Sequence, residues 1–302
     1  MPKHNPYLSR RRFLQFLAAS GGAGLLGITY VWQVETRWLV VKEHELPIDT
    51  LPAAFDGLRV AQLSDIHIDP LYRYDFVARV VARVNALAPD VVVLTGDYVT
   101  QDPAAAAPLA TILAGLRAPM GTYAVLGNHD VWRRKRAPVR RAFVQAGIPM
   151  LENTHVSLAR GKQTLVLAGL DDGWGGRPNL RQALANAPDA PVILLLHEPD
   201  LVTRYQYETR IIVQLSGHSH GGQVRIPGYG AIYLPRYGQT YDAGIYRVGD
   251  VWLNTNTGLG MTSYGITTPP VRFNCPPEIS LLTLRQQPAA AGARSRVTHT
   301  FV

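Results

Sequence analysis

The sequence predicts an α/β fold, and three observations support this prediction. Short apolar runs typical of buried strands alternate along the chain with segments that have the spacing of amphipathic helices. Polar side chains follow several of these runs directly, as they do where neighbouring strands end at one edge of an α/β sheet. The chain has 302 residues and an apolar fraction of 47%, which suffices for one large core and argues against a disordered chain.

The predicted elements begin with strands and helices in alternation. Five strands are predicted, at Val60 to Leu63, Val91 to Leu94, Tyr123 to Leu126, Val192 to Leu196 and Ile211 to Val213. Four helices are predicted, at Asp75 to Leu87, Asp102 to Leu113, Pro138 to Ala146 and Asn179 to Ala187. The first helix has its apolar residues on one face, and Asp102-Pro103 is typical of an N-cap followed by the first helical position.

After Gly222 the pattern predicts strands without helices between them. These strands are Gln223 to Ile226, Gly244 to Val248, Val251 to Thr255 and Ile279 to Leu284. We expect them to close a second sheet. The tail of residues 286–302 is rich in Ala, Gly, Arg and Ser, and we predict that it is disordered.

Five short motifs contain the side chains that point to chemistry. They are Asp65-Ile66-His67, Gly96-Asp97, Gly127-Asn128-His129-Asp130, His197 and Gly217-His218-Ser219-His220. Each motif follows an apolar run, so the side chains are expected to converge on one crevice. Gly96, Gly127 and Gly217 lie where the chain has to turn close to the ligands.

The residue types in these motifs predict a metal site. Carboxylate, imidazole and amide oxygen are ligands of borderline or hard divalent metals, not of a thiolate site. Seven such ligands and one further histidine suit two ions that share a bridging carboxylate. Two ions about 3.5–4 Å apart clamp a phosphoryl group and generate a hydroxide near neutral pH, so the pattern predicts a hydrolase. A lone Asp-x-His or a core histidine is common, whereas Gly-Asn-His-Asp and Gly-His-x-His-Gly-Gly-Gln are specific.

The five motifs resemble those of the calcineurin-like metallophosphoesterase superfamily, over roughly Leu58 to Leu284. The segment from Gly217 to Gln223 is similar to the Gly-His-Thr-His-Gly-Gly-Gln element of a bacterial phosphodiesterase branch, with serine in place of threonine. The resemblance implies a four-layer α/β/β/α sandwich. It also implies Asp65, His67 and His220 as ligands of one metal, Asn128, His197 and His218 as ligands of the other, and Asp97 as the bridge. His129 would stay free as an acid or phosphate contact, with Asp130 to orient it.

The same resemblance implies a phosphodiesterase that uses two divalent metal ions, and ligands of nitrogen and oxygen permit Mn, Fe or Zn. A hydroxide between the metals would attack phosphorus in line while Asn128 and nearby histidines neutralise charge. His129 would protonate the leaving oxygen. Three alternatives stay open: a phosphomonoesterase, a lipid-linked pyrophosphate hydrolase of the UDP-2,3-diacylglucosamine type, and a non-catalytic metal-binding scaffold. A scaffold could lose ligands without penalty, and here none is missing.

The N-terminus predicts export. The segment from Ser9 to Gln15 contains three consecutive arginines and matches the twin-arginine pattern, and a weakly apolar stretch runs from Phe13 to Val34. As a helix these residues would span roughly 33 Å, enough to cross a bilayer, and no good A-x-A cleavage site is visible.

We therefore predict a signal and possible membrane anchor in residues 1–36 and the metallophosphoesterase domain in residues 37–285. The cationic start would remain in the cytoplasm and place the domain at the outer face of the cytoplasmic membrane. The twin-arginine translocation machinery and the membrane surface would be partners. Export would count against the lipid-linked alternative, whose substrate is expected in the cytoplasm.

The net charge of +8 comes partly from this segment. The other concentration of charge is Arg133, Arg134, Lys135, Arg136, Arg140 and Arg141. It is either a solvated surface or a region that attracts anionic substrate or acidic lipid headgroups, with Arg133 as a candidate substrate contact. No nucleic-acid module is apparent. The aromatic residues between Tyr229 and Tyr241 could line the crevice or lie at a membrane interface.

Overall fold

The computed structural model describes residues 15, 27, 29–69, 71, 73–262, 271–287 and 292–301. The strands are β1 (Trp38–Pro47), β2 (Arg59–Leu63), β3 (Val91–Leu94), β4 (Thr122–Ala124), β5 (Thr154–Arg160), β6 (Gln163–Gly169), β7 (Val192–Leu195), β8 (Ile211–Ser216), β9 (Arg225–Ile226), β10 (Gly230–Ala231), β11 (Gly244–Val248), β12 (Val251–Thr255), β13 (Glu278–Arg285) and β14 (Arg294–Phe301). The α-helices are α1 (Tyr74–Ala86), α2 (Ala106–Leu113), α3 (Asn128–Val131), α4 (Arg136–Gln145), α5 (Leu180–Ala183) and α6 (Val202–Tyr205).

Two six-stranded sheets form the centre of the molecule. The first has the order β14-β1-β13-β2-β3-β4, and the second has the order β11-β12-β8-β7-β6-β5. In the first sheet β2, β3 and β4 are parallel neighbours, and in the second sheet β6, β7, β8 and β12 are parallel. Parallel strands end at the same edge, so each sheet presents several strand ends to one side.

Three clusters of buried apolar side chains separate the layers. The first packs α1, α2 and α4 on one sheet, the second lies between the sheets, and the third packs α5 and α6 on the other sheet. Examples from the three clusters in turn are Val80, Leu94 and Phe143; Val93, Leu167 and Leu215; and Val166, Leu194 and Val202. Each sheet is thus apolar on both faces, which confirms the predicted four-layer α/β/β/α sandwich.

The predicted elements are largely present. The helix that begins at Tyr74 is amphipathic, and the Asp102 carboxylate accepts the Ala104 N–H at 2.9 Å, as the N-cap prediction requires. The fourth predicted helix is shorter and covers only Leu180–Ala183. Two of the strands expected to close the second sheet lie elsewhere, so that prediction is wrong for them. The strand predicted at Ile279 to Leu284 is β13, which lies between β1 and β2 in the first sheet, and the one predicted at Gln223 to Ile226 is the short β9, which pairs with β10 in a separate two-stranded sheet.

The prediction of a disordered tail is also wrong for part of its length. Residues 294–301 form β14, which pairs antiparallel with β1 and places Thr298 opposite Val41. The β-branched residues of this segment favour a strand, and β1 offers an unpaired edge for it. The twin-arginine motif lies outside the described residues except for Gln15, and so does most of the apolar stretch after it. Within the described residues, every helix is too short or too polar to span a bilayer.

Candidate metal centre

The predicted ligands converge where strands of both sheets end. Asp65 follows β2 and Asp97 follows β3 in the first sheet, whereas His197 follows β7 and His218 follows β8 in the second. Asn128 is the first residue of α3, just after β4. The five chain segments therefore deliver their polar side chains to one end of the sandwich, as the strand-and-ligand spacing predicts.

Two groups of side chains offer converging ligand atoms. The first is Asp65, His67, Asp97 and His220, the second is Asp97, His197 and His218, and the ligand atoms within each group lie within 4.8 Å of one another. Asp97 belongs to both groups, as its predicted bridging position requires. All six side chains are buried.

The distances within the two groups are those of a coordination shell. The Nε2 atoms of His67 and His220 are 3.1 Å apart, and His220 Nε2 is 3.2 Å from Asp65 Oδ1. Asp97 Oδ2 lies 3.4 Å from His67 Nε2 and 3.3 Å from His197 Nε2. Lone pairs this close repel unless a cation lies between them, so the spacing suits an ion with ligand bonds of about 2.0–2.2 Å.

Asn128 provides a separate test of the fit. Its Oδ1 atom is buried and has no hydrogen-bond partner among the described residues. An unpartnered buried acceptor is costly, and metal coordination would satisfy this atom. The residues present therefore fit two divalent ions, with Asn128 completing the second group.

Hydrogen bonds on the far side of the imidazoles fix which nitrogen faces the centre. His197 Nδ1 donates to the Thr95 carbonyl at 2.6 Å, and His218 Nε2 donates to the Arg236 carbonyl at 2.7 Å. His67 Nδ1 is 3.0 Å from the Thr100 hydroxyl. Each bond leaves the opposite ring nitrogen as an acceptor directed at the metal position, which is the usual second-shell arrangement.

The electrostatics of the centre favour a cation. Burial lowers the pKa of His218 to about 3, so this imidazole is neutral, the form that binds metal. Burial raises the pKa of Asp97, but the adjacent His197 and His129 outweigh burial and hold that pKa well below its ordinary value. Burial lowers the pKa of His197, whereas Asp97 and Asp65 outweigh it and raise that pKa well above its ordinary value. Without metal the two carboxylates therefore hold a proton on Nε2, and a bound metal ion would take the place of that proton.

The backbone that carries the ligands is strained. The ligand residues with left-handed φ are Asp65 (49°), His67 (42°), Asp97 (57°), His218 (70°) and His220 (52°). Such conformations cost roughly 1–3 kcal/mol each for residues with a side chain, so the surrounding fold must impose them. Gly96 has a φ of 96°, and a Cβ at Gly217 would collide with Ser64 and Asp65. These two glycines are required by the close approach of the loops, as predicted.

Asp130 has a different role from the one predicted. Its Oδ2 accepts the N–H groups of Asp97 and Gly127 at 2.8 and 3.1 Å, and its Oδ1 accepts those of Tyr98 and Val99 at 2.9 and 3.2 Å. The carboxylate is therefore fully used in holding two ligand loops together. The prediction that Asp130 orients His129 is corrected accordingly.

His129 lies at the base of an open cleft of ≈ 490 Å³. The lining residues are Asp97, Asn128, His129, Trp132, Trp174, His218, His220, Tyr233, Pro235 and Thr262. The His129 ring lies 4.9 Å from the His67 ring and 5.1 Å from the Trp132 ring, and its backbone N–H donates to Asp97 Oδ1. Burial lowers the pKa of His129 to about 4, so its neutral ring can donate one hydrogen bond toward the cleft.

The structure places Arg133 away from the cleft wall. Its side chain is exposed, and the residue is absent from the cleft lining, so the prediction that it contacts substrate is not supported. Arg136 forms ion pairs of 2.7 Å with both Glu152 and Asp171, which indicates a structural role for part of this basic run. Lys135 is buried and donates to the Thr100 carbonyl at 2.6 Å.

Sequence reasoning missed Arg272, which is completely buried behind the centre. Its guanidinium donates to the carbonyls of Thr257 (2.9 Å), Gly258 (3.0 Å), Gly260 (2.6 Å) and Cys275 (2.9 Å). The same loop contacts the ligand Asp65, since Gly260 N donates to the Asp65 carbonyl at 2.7 Å. Arg272 thus holds the loop that packs against a metal ligand. The Trp132–Trp174 pair, with ring centroids 4.8 Å apart, was missed as well.

Comparison with known proteins gives consistent matches. The calcineurin-like phosphoesterase family matches residues 58–222. The metallophosphoesterase YkuE of Bacillus subtilis is 34% identical over 92% of the chain and 98% of its own length. The phosphodiesterase YaeI of Escherichia coli is 30% identical over 92% of the chain and 99% of its own length. The UDP-2,3-diacylglucosamine pyrophosphatase LpxG of Chlamydia trachomatis is 26% identical over 86% of the chain and 94% of its own length.

Proposed function

From the premise that the chain belongs to the calcineurin-like phosphoesterase family and is a metal-dependent phosphoester hydrolase, we propose that its substrates are phosphodiesters. One observation carries this proposal: among the described residues that line the cleft there is no lysine or arginine. A phosphomonoester carries a second negative charge that such a residue would pair with, whereas a diester carries one. The YaeI relative, a phosphodiesterase by name, supports the same conclusion.

The residues at the cleft base have separable roles. When bound, two divalent ions would supply Lewis acidity and a water of lowered pKa. Asp65, His67, Asp97 and His220 would hold one ion, and Asp97, Asn128, His197 and His218 the other. His129 faces the cleft without belonging to either ligand group, and its neutral ring is placed to donate a hydrogen bond to the leaving oxygen as negative charge develops there. Trp132 and Trp174 form an apolar wall for the organic part of the substrate.

For the location of the enzyme, we propose export by the twin-arginine machinery and attachment at the outer face of the cytoplasmic membrane. The support is the arginine motif from Ser9 to Gln15 and the apolar stretch that follows it. An exported enzyme folded before translocation would cross with its metal centre already formed.

A lipid-linked pyrophosphate is the second candidate substrate. The similarity to LpxG, which is named for UDP-2,3-diacylglucosamine, favours it. The cleft supports it in one respect, because its lining is partly aromatic and would accept an apolar group beside the phosphorus. A monoesterase and a non-catalytic scaffold have no comparable observation in their favour.

The proposal is tested by a turnover panel on protein of measured metal content. Phosphodiesters, phosphomonoesters and lipid-linked pyrophosphates are compared for wild type and for Asp97→Asn, and the exposed Asp189 provides the control Asp189→Asn. Because Asp97 belongs to both ligand groups, its substitution should lower the occupancy of both ions and nearly abolish turnover. Faster hydrolysis of monoesters than of diesters would reject the substrate proposal. Normal metal content and rates in Asp97→Asn would reject the bridging role.

A further inference from the structure

One surface of the molecule exposes large apolar side chains beside the cleft. The turn that joins β9 and β10 and the residues after it expose Tyr229 (77%), Ile232 (59%) and Ile226 (46%), and Phe273 is 37% exposed. Soluble surfaces rarely expose several large apolar side chains this close together without a partner. The residues concerned lie in four segments, 29–34, 223–241, 257–262 and 271–274, which we call the acid-free surface.

Backbone and side-chain contacts join these segments into one surface. Gln223 Nε2 donates to the Thr262 carbonyl at 2.9 Å and Gln223 Oε1 accepts the Thr262 N–H at 2.7 Å. Arg225 N donates to the Phe273 carbonyl at 2.9 Å. Arg272 N donates to the Val31 carbonyl at 3.3 Å, so the surface includes the place where the N-terminal apolar stretch enters the domain.

The charge of this surface is one-sided. None of the four segments contains Asp or Glu, and neither does the chain before Glu35, which is itself only 3% exposed. Asp242, at the border of the surface, is neutralised by Arg225 at 2.6 Å. The 22 Asp and Glu residues of the chain all lie outside these segments, and a surface without acidic residues favours an anionic or apolar partner.

Two arginines lie next to the surface and form no ion pair among the described residues, and the neighbouring Asp75 pairs with Arg79 at 3.0 Å instead. Arg37 and Arg73 line a cavity of ≈ 190 Å³ together with Trp32, Leu71 and Met261. Within the described part of the chain, no carboxylate lies within 4.0 Å of either guanidinium, and the buried Nη2 of Arg73 has no hydrogen-bond partner. A cavity with cationic and apolar walls at an aromatic rim suits the headgroup of an anionic lipid.

We propose that the acid-free surface docks on a lipid bilayer that contains anionic headgroups. Exposed aromatic and aliphatic side chains, arginines and no acids are the composition that interfacial segments use. Tyr233 and Thr262 belong both to this surface and to the cleft lining, so docking directs the cleft mouth at the headgroup layer. The inference rests on the proposed membrane location and extends it, since the catalytic domain itself makes the contact.

The first test measures which part of the full-length protein touches lipid. Tyr229→Cys and the control Tyr207→Cys, whose native side chain is 82% exposed outside this surface, are labelled with an environment-sensitive fluorophore. The native Cys275 is buried and should label slowly. With vesicles of phosphatidylcholine and phosphatidylglycerol that carry a nitroxide-labelled lipid, the label at residue 229 should be quenched and that at 207 should not. Equal quenching at both positions, or none at 229 while the protein is bound, would overturn the proposal.

The second test separates docking from catalysis. The double variant Tyr229→Asp/Ile232→Asp changes residues outside the cleft lining, so turnover of a water-soluble diester should stay at the wild-type rate. Turnover of a phosphodiester embedded in the same vesicles should fall roughly tenfold or more, because two negative charges replace the apolar side chains that would be buried in the bilayer on docking. Equal losses on both substrates would overturn docking. Absence of diester turnover in wild type would instead reject the proposed function.

A second copy of the chain is the other occupant that the experiment detects. If the label at residue 229 becomes protected in lipid-free solution as protein concentration rises, and sedimentation shows a dimer, the surface is an interface between copies and the lipid proposal fails. Under the proposal, the protein should remain unprotected at residue 229 until vesicles are added.

Discussion

Asp130→Asn separates the corrected role of this residue from the role that its motif suggests. The wild-type carboxylate accepts four buried backbone N–H groups. The asparagine amide keeps one oxygen, so two of the four donors face an NH₂ group and lose their acceptor. A buried donor without a partner costs about 1–3 kcal/mol, which gives a loss of about 2–6 kcal/mol in the free energy of unfolding. Burial and the adjacent Asp97 raise the pKa of Asp130 to about 7, so the ionised carboxylate is itself destabilised in the folded protein. Because asparagine removes this buried charge, we expect a loss of unfolding free energy near the lower end of the range.

The assay is urea unfolding of chelated protein, followed by turnover of metal-loaded protein. Chelation removes the metal contribution, so the difference in unfolding free energy reports the lost loop contacts together with the removal of the buried charge. The measurement should be made above the pKa of Asp130, where the wild-type carboxylate is ionised, with the exposed Asp189→Asn as control. Unfolding free energy within about 0.5 kcal/mol of wild type, together with a loss of turnover equal to that of His129→Ala, would refute this reasoning. It would restore Asp130 as the residue that orients His129.

Three further predictions follow from the site, the core and the N-terminus. His129→Ala should retain metal and lose roughly 10²–10⁴-fold in turnover of alkyl diesters but much less on nitrophenyl diesters, whose leaving group is stable as an anion and gains little from a donor. Equal losses on both substrates would show that the ring binds the phosphoryl group instead. Burial raises the pKa of Glu278, but the ion pair with Lys42 at 2.6 Å outweighs burial and holds that pKa below 4.5. The ionised Glu278 therefore stabilises the fold above pH 4.5, and this stabilisation is lost as the pH falls through the pKa of the folded state. The urea midpoint of wild type should therefore fall more steeply below about pH 4 than that of Glu278→Gln, and parallel profiles would contradict the assignment. Replacement of Arg10 and Arg11 by lysine should leave folded, active enzyme in the cytoplasm, whereas unchanged outward localisation in fractionated cells would indicate ordinary membrane insertion.

The sequence could indicate the candidate ligands because each of them follows a strand within a few residues. Asp65 and Asp97 follow continuous apolar runs, so a local pattern defines both the strand and the point where its polar residue emerges. The predictions that failed concern strands whose pairing partners are far away in the chain. The strand at residues 294–301 exists because β1 offers an edge more than 240 residues earlier, and the place of β13 depends on pairing with β1 and β2.

Residues that act through backbone atoms are also invisible to motif analysis. Arg272 binds four backbone carbonyl groups. Every residue has such a group, so the sequence does not indicate which ones an arginine will bind. Asp130 lies within a motif, yet its partners are N–H groups that any residue would supply. The motif therefore indicated that Asp130 matters, whereas no motif pointed to Arg272, and only the structure showed which atoms each of them contacts.

Because the ligands are divided between the two sheets, each ion, when bound, would cross-link the sandwich. The first group takes three side chains from loops of the first sheet and His220 from the second, while the second group joins Asp97 of the first sheet to His197 and His218 of the second. Metal binding therefore adds its free energy to the association of the sheets at that end, by an amount that grows with free metal concentration. The thermal stability of the protein would then depend on the free metal concentration around it. In a compartment poor in metal the enzyme would be inactive, and its two sheets would be held together less strongly at that end.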